Sequence, residues 1–468
     1  MKTSRSIYGK TPFLLLSLFI NLLFVLSPSV FAGTLNESLS LKRAIQLAQQ
    51  NDPWLAENKH LQQALESKSI AAGTLPDPRV SLGLANIAAD SLDFNQENMT
   101  QLRAGISQMF PRGDTLRLQT QRFKLLSSQN PFLRDDRKKQ VSLMVTTLWL
   151  DVFKAKESIR LIENDRELFE QLVDISEASY STAYGNTQQQ DVVRAQLELT
   201  RLDDRLTQLK QEQEVANMRL MQWVSGRFTN HYTDIAETEN LPKTFSNIES
   251  DTLPMLSLNR PELLTMQGDT ETLTTLLLKH PSVLALDSLI NVSSTDIELS
   301  KQKYKPEWGV NAEYGYRGDN NLGNNRSDLL SIGLSFDVPL FTATRQDKQV
   351  QAAISEAESV KTKKWLLLRK MISEFETAKV ELVRRNERYD LYQQKLLPQI
   401  YEQAEAALTA YTNDAGDFAE VVRARIDVLN AEIDNLGIEV ERQKNIAQLN
   451  YFLSSYNTAD VTNVKGHP

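Results

Sequence analysis

The sequence predicts a mainly α protein with a small β part and an internal two-fold repeat, and three observations carry that prediction. First, short motifs recur at a nearly constant offset. Pro53 pairs with Pro281, Pro78 with Pro306, Gly105 with Gly333 and Pro111 with Pro339, each 228 positions apart. Later, Ala183-Tyr184 is echoed by Ala410-Tyr411, and Val192-Val193-Arg194-Ala195 by Val421-Val422-Arg423-Ala424. Fixed-period self-similarity over about 140 residues is the mark of a duplicated plan. Second, residues 115–184 and 347–411 contain no glycine and one proline each, Pro131 and Pro398. A helix of about 65 residues reaches about 100 Å, far beyond a globular domain. Third, four segments alternate apolar and polar residues with a period of two.

The elements follow in the same order in each copy. Helical patterns at 41–73 and 272–303 come first, and two strands follow each. In 308–316, Trp308, Val310, Ala312, Tyr314 and Tyr316 oppose Gly309, Asn311, Glu313 and Gly315. In 330–338, Leu330, Ile332, Leu334, Phe336 and Val338 oppose Ser331, Gly333, Ser335 and Asp337. The first copy alternates more weakly, through Val80, Leu82 and Leu84, then Leu102, Ala104 and Ile106. Strands of this length suit a membrane barrel with a watery lumen, and they equally suit a half-buried sheet. Four strands cannot close a barrel, so if they span a membrane, several chains must share one. Each long helical stretch is expected to break near its middle, and within 115–184 and 347–411 the only helix breakers are Pro131 and Pro398. The segments after the two echoed turns carry heptads, Val192 to Leu220 and Val422 to Ala447, which read as coiled-coil packing.

Composition narrows the function. The 468 residues include no Cys, which excludes disulfides, thiolate metal sites and cysteine nucleophiles. A formal charge of −8 argues against nucleic acid as a partner. The four His, at 60, 231, 280 and 467, are scattered, so no metal or cofactor site is expected. No Gly-x-Ser-x-Gly, His-Glu-x-x-His or phosphate-binding loop occurs, so an enzyme is not expected. Lys2, Arg5 and Lys10 precede an apolar run that ends in Ser-Val-Phe-Ala, the pattern of a secretory signal peptide over residues 1–32 cleaved before Gly33. An uncleaved anchor is the alternative. Beyond it no run approaches the roughly 18 apolar residues of a membrane helix.

Several stretches together resemble one family. SLKRAIQLAQQNDPWLAE is similar to the opening motif of TolC-type outer-membrane efflux channels, although Asp52 intervenes before Pro53. SFDVPLF resembles their strand-to-helix exit, LLPQIYEQAEAALTAY the helix entering a periplasmic turn, and EVVRARIDVLNAEID the helix leaving it. GTLPDPRVSLGLAN is most similar to the branch serving heavy-metal or cation efflux. The resemblance covers nearly the whole chain after residue 32. It implies a homotrimer in outer-membrane lipid, with four strands per protomer in a shared twelve-stranded barrel and long helical hairpins forming an α-barrel tunnel. It further implies a periplasmic adaptor (membrane-fusion) protein and an inner-membrane pump of the resistance-nodulation-division type. The expected division is a first repeat over 33–270, with strands about 79–110, helices about 114–226 and an equatorial segment about 227–270. The second repeat covers 271–453, with strands about 308–339 and helices about 344–453, and a flexible tail covers 454–468.

The resemblance also implies site residues. The gate falls at the periplasmic turns, where in the family the helix leaving the turn of the second repeat carries two acids three residues apart. The first falls on Glu420, with Asp191 as its repeat equivalent. The second falls on Arg423, with Arg194 as its equivalent, where this sequence departs from the pattern. A ring of both signs locks by ion pairs, whereas an all-acidic ring attracts cations. The bland alternative is helix-start charge, favoured by the dipole at about 0.3–1 kcal/mol for Asp191 and Glu420. Gly185, Asn186, Asn413, Asp414 and Gly416 are candidates for adaptor docking. Trp308, Tyr314, Tyr316 and Phe336 are candidates for the membrane aromatics. Alternatives are a drug-efflux or type I secretion outlet of the same family, or an exported coiled-coil spacer.

Overall fold

Prolines at the first position of a helix leave no amide unsatisfied, and this chain uses one twice to restart a helix at an angle. Leu41–Gln50 (α1) stops at Asn51, and Pro53–Ala71 (α2) begins behind the N-cap Asp52. Thr270–Leu277 (α6) likewise gives way to Pro281–Gln302 (α7) behind the N-cap His280. The continuous helices expected at 41–73 and 272–303 are therefore each two helices, because capping residue and proline together reset the axis. The computed structural model describes residues 39–181, 188–225, 252–265, 270–320, 322–413 and 415–456. The signal peptide, Gly185, Asn186, Asp414, most of the equatorial segment and nearly all of the tail lie outside them.

Between these come Arg79–Ala85 (β1) and Gln101–Phe110 (β2), then Thr115–Ser181 (α3) and Gln189–Val224 (α4). A single turn of helix, Glu262–Thr265 (α5), precedes α6. After α7 come Trp308–Tyr316 (β3), Leu329–Phe336 (β4), Gln346–Leu391 (α8), Leu397–Thr412 (α9) and Phe418–Phe452 (α10). The strands form one antiparallel sheet in the order β1-β2-β3-β4.

The 67-residue α3 continues through Pro131, the one helix breaker in that stretch. Proline removes the N–H that would satisfy the carbonyl four residues back. Here the buried Asn130 side chain supplies a donor instead, its Nδ2 reaching the Ser127 carbonyl at 3.3 Å and the Leu126 carbonyl at 3.1 Å. Asn58 on α2 holds that amide in place, donating to Asn130 Oδ1 at 2.8 Å. Pro398 is accommodated differently. Five residues, Tyr392–Leu396, form a π-helical segment between α8 and α9, a common way to absorb a local misfit in a long helix.

The helices pack as an elongated array with its apolar core in sections. Near the hairpin tips, Phe169 and Leu172 of α3, Ala195 and Leu202 of α4, and Phe418, Val421 and Leu429 of α10 share one cluster. Midway, α1 closes over α3 and α4 through Ala44, Ala48, Val145, Trp149 and Leu220. Leu277, Val283, Phe375, Leu449 and Phe452 join α6, α7, α8 and α10. The heptad residues Leu202, Leu206, Leu220, Leu429, Ile433 and Val440 are all buried, as coiled-coil packing requires. Among the described residues no single helix is long and apolar enough to cross a membrane; α6 and α7 meet that composition only as a pair bent by 67°.

Two polar anchors fix the helix restarts. Arg137 donates to Asp52 at 2.7 Å while its guanidinium lies over Trp223 and Trp54, at 5.4 and 5.8 Å from the ring centres. His280 is fully buried, donates through Nε2 to the Tyr451 carbonyl (3.2 Å) and caps α7 by accepting at Nδ1 from the Ser282 amide (3.3 Å). Burial holds the His280 ring well below its ordinary value, at about 4. The nearest carboxyl, Asp136, is itself pushed up by burial and is occupied by the Tyr451 hydroxyl at 3.0 Å. The unfolded chain therefore binds a proton at His280 before the folded chain does. The stability from a neutral ring is complete above pH 6.5 and is lost as pH falls from 6.5 towards about 4. Replacing His280 with Asn keeps a capping acceptor and removes the titration. His280→Asn is expected to flatten the fall in thermal midpoint across that window, which a pH series of melting curves reads directly.

Candidate functional site

The sheet sorts its residues by face. Reading across the register, Val80, Ile106, Ala312 and Ile332 lie in one row, and Leu82, Ala104, Tyr314 and Leu330 in the next. Leu84, Leu102 and Tyr316 make a third row, while Phe110, Trp308 and Phe336 close the helix-side end. This whole apolar face is bare: Leu82 is 78% exposed, Ile332 75% and Leu330 71%. The four aromatic candidates all lie on it, in two groups. Trp308 and Phe336 sit together at the helix-side end, ring centres 5.0 Å apart, and Tyr314 and Tyr316 stand at the loop-side end. From Trp308 to Tyr316 is about 27 Å along a strand at about 3.4 Å per residue. The opposite face is mostly small and polar, with Ser81, Gly83, Gly105, Ser107, Asn311, Ser331 and Gly333, and it also carries the charged Arg79, Arg103 and Glu313 and the apolar Met109 and Leu329. β1 and β4 are edges with no partner strand among the described residues.

At the loop-side end the two hairpin connections are tied together. Arg317 donates to the Asn98 carbonyl at 3.1 Å, Arg326 donates to the Glu97 carbonyl at 3.1 Å, and Phe94 stacks on Tyr316. At the helix-side end, Arg112 reaches the Lys305 carbonyl (3.0 Å) and pairs with Asp337, joining the end of β2 to the exits of α7 and β4. Gly113 there has φ +46°, and an added Cβ would fall 2.3 Å from Lys305 Cδ, so this joint requires glycine.

The far ends of the helices carry the gate candidates. Asp191 and Glu420 both occupy the third position of their helices, yet their surroundings differ. Asp191 is buried at 6% exposure and accepts from the Gln188 amide at 2.9 Å, so it caps α4. In α10 the N-cap Asp417 does that work, accepting from the Ala419 amide at 3.1 Å, and Glu420 stays exposed. Arg194 and Arg423 are exposed too. Glu420 and Arg423 stand three residues apart on the first turns of α10, on the side away from Val421 and Val422, which are 0% and 1% exposed. Among the described residues neither side chain forms an ion pair. The adaptor-docking candidate Asn413 is exposed, and Gly416 folds back over α9, where an added Cβ would meet the Tyr411 nitrogen at 2.8 Å. Tyr411 packs on Phe418 at 5.5 Å to close this turn.

The echoed Val-Val pairs are likewise unequal. Val193 is 56% exposed, and with Ile175, Tyr180 and Leu197 it leaves apolar side chains uncovered at the end of α3 and α4. One group was not anticipated from the sequence. Between α3, α9 and α10, Tyr401 donates to Glu432, and Asp165 lies close enough to feel that charge. Burial first, then Glu432, pushes the Asp165 carboxyl up to about 6, with Arg425 opposing. These acids are about 270 positions apart in sequence, and no local motif announces them. Among the described residues no group of His, Asp and Glu could hold a metal ion.

No protein-family model matches the chain, and no curated protein matches it by sequence. Solved structures do match its fold. CusC, whose crystal structures concern folding and transmembrane channel formation, is 15% identical with a TM-score of 0.70, over 89% of this chain and 92% of CusC. The Campylobacter jejuni CmeC outer membrane channel is 14% identical with a TM-score of 0.69, over 91% of this chain and 88% of CmeC. The Vibrio cholerae outer membrane protein VceC is 12% identical with a TM-score of 0.68, over 89% of this chain and 97% of VceC. The chain has the fold of these outer-membrane proteins.

Proposed function

We propose that the chain is a TolC-type outer-membrane efflux channel: a passive exit duct that receives substrate from an inner-membrane pump through a periplasmic adaptor. One observation carries the reading. A four-stranded sheet with a bare apolar face, a polar opposite face and two unpaired edges is unstable in water and complete only in lipid with further strands. Aromatics at both ends of that face and a spacing near the 25 Å apolar band of a membrane barrel support it. Three protomers, each giving four strands, would close a twelve-stranded barrel. The uncovered residues Ile175, Tyr180, Val193 and Leu197 then find cover against a neighbouring protomer. The internal duplication, with repeats over 33–270 and 271–453, gives two hairpins per protomer for the tunnel wall.

The two hairpin tips form the periplasmic mouth. Gly185, Asn186, Asn413, Asp414 and Gly416 would meet the adaptor there. Glu420, Arg423 and Arg194 would form the gate ring, with Asp191 holding the start of α4. Opposite charges on neighbouring protomers close such a ring by ion pairs and do not concentrate cations. Replacing Glu420 and Arg423 with Ala is expected to raise single-channel conductance and the leakage of large antibiotics severalfold. Unchanged conductance and leakage would reduce both residues to helix-start charges.

For the cargo, the likeness of GTLPDPRVSLGLAN to the heavy-metal and cation branch favours metal efflux over drug efflux or protein secretion. Deleting the gene and screening metal salts against dyes and antibiotics separates these. Loss of tolerance to one or more metal salts is expected, and unchanged metal tolerance with new dye sensitivity would sink the metal reading.

A further inference from the structure

The polar face of the sheet carries a charge arrangement that the channel reading does not itself call for. Arg103 on β2 and Glu313 on β3 form an ion pair of 3.3 Å, with their side chains 37% and 34% exposed. Glycine frames the pair: Arg103 faces Gly83 on one side and Gly315 on the other, and Glu313 faces Gly105 and Ser331. Two long charged side chains thus rise from a floor of glycine and serine in the middle of the sheet. The other charged strand residue on this face is Arg79, at the end of β1 opposite Ser107. The formal charge of the face is then +1 per protomer, from Arg79, Arg103 and Glu313 together.

We infer that the Arg103–Glu313 pair sets the ion selectivity of the strand-lined passage, by keeping a guanidinium in the wall while cancelling its field towards the lumen. The inference rests on the channel reading, which places this face inward and repeats it three times around one ring. A charge on a low-dielectric wall focuses its field into the passage, whereas an ion pair presents only a dipole. Removing one partner exposes three like charges at one level. Glu313→Gln raises the face to +2 per protomer, and Arg103→Gln lowers it to zero. The double substitution restores the original +1 with no pair present.

The test is the reversal potential of the purified protein in planar bilayers under a KCl gradient from about 0.1 to about 0.01 M, where the Debye length grows from about 10 to about 30 Å. Glu313→Gln is expected to raise the chloride-to-potassium permeability ratio about twofold, and Arg103→Gln to lower it about twofold, as charged rings do in narrower pores. The double variant should return to the wild-type ratio, which separates charge from damage to the sheet. Single variants that conduct with an unmoved ratio, or that shift it in the same direction, overturn the inference while leaving the channel reading in place. A double variant that departs from wild type as far as either single overturns it too. Wild-type protein that inserts and forms no pores overturns the channel reading, and the inference with it.

Discussion

The structure depends on one constraint: a four-stranded antiparallel sheet that hides neither its apolar face nor its edges. In a water-soluble protein the side chains of Leu82, Ile332, Leu330 and Leu334 would be under a helix or a second sheet, because leaving one large aliphatic side chain exposed forgoes about 1.5–3 kcal/mol of burial. Among the described residues no helix is packed against the sheet. In the proposed barrel, lipid and neighbouring strands would answer both deficits at once. The polar floor of glycine and serine on the other face suits the same proposal, since a shared barrel would keep its interior wet and open.

The long helices are the second consequence. The proposed duct, which would start in one membrane and meet a pump in another, needs reach, and α3 alone spans about 100 Å at 1.5 Å per residue. Long helices kink where their hydrogen-bond ladder is interrupted, and the irregular points here are managed locally. Asn130 supplies donors beside Pro131, and a π-helical segment takes up Pro398. The anchors at Asp52–Arg137 and His280–Tyr451 tie the turned helices α2 and α7 to the wall, at the level where the core changes from one cluster to the next.

Much of this was legible in the sequence because period-two and heptad patterns report directly on which side of an element is covered. β3 was bounded to the residue by its alternation, and the heptads marked the buried seams of α4 and α10. What escaped was whatever depended on a partner distant in sequence. The helix restarts at Pro53 and Pro281 were hidden because proline is tolerated at the first position of a helix and does not by itself separate two helices. How α3 tolerates Pro131 was hidden too, because the remedy lies in the Asn130 side chain and, beyond it, Asn58. The echoed Val-Val-Arg-Ala motifs looked equivalent, yet the helix starts differ: Asp191 folds back onto the Gln188 amide in a capping box, whereas Asp417 caps α10 and Glu420 stays exposed. Asp165, Glu432 and Tyr401 meet only through the packing of three helices.

The central claim is that the free edges β1 and β4 belong to a barrel completed by other copies of the chain. The absence of cysteine makes this directly measurable, since any two introduced thiols are the only ones present. Ser81→Cys on β1 combined with Ser331→Cys on β4, treated with a short bis-maleimide in isolated outer membranes, should yield covalent dimers and closed trimers, while each single variant stays monomeric. Monomers alone from the double variant, with both thiols shown to be reactive, would contradict the shared barrel and the account built on it.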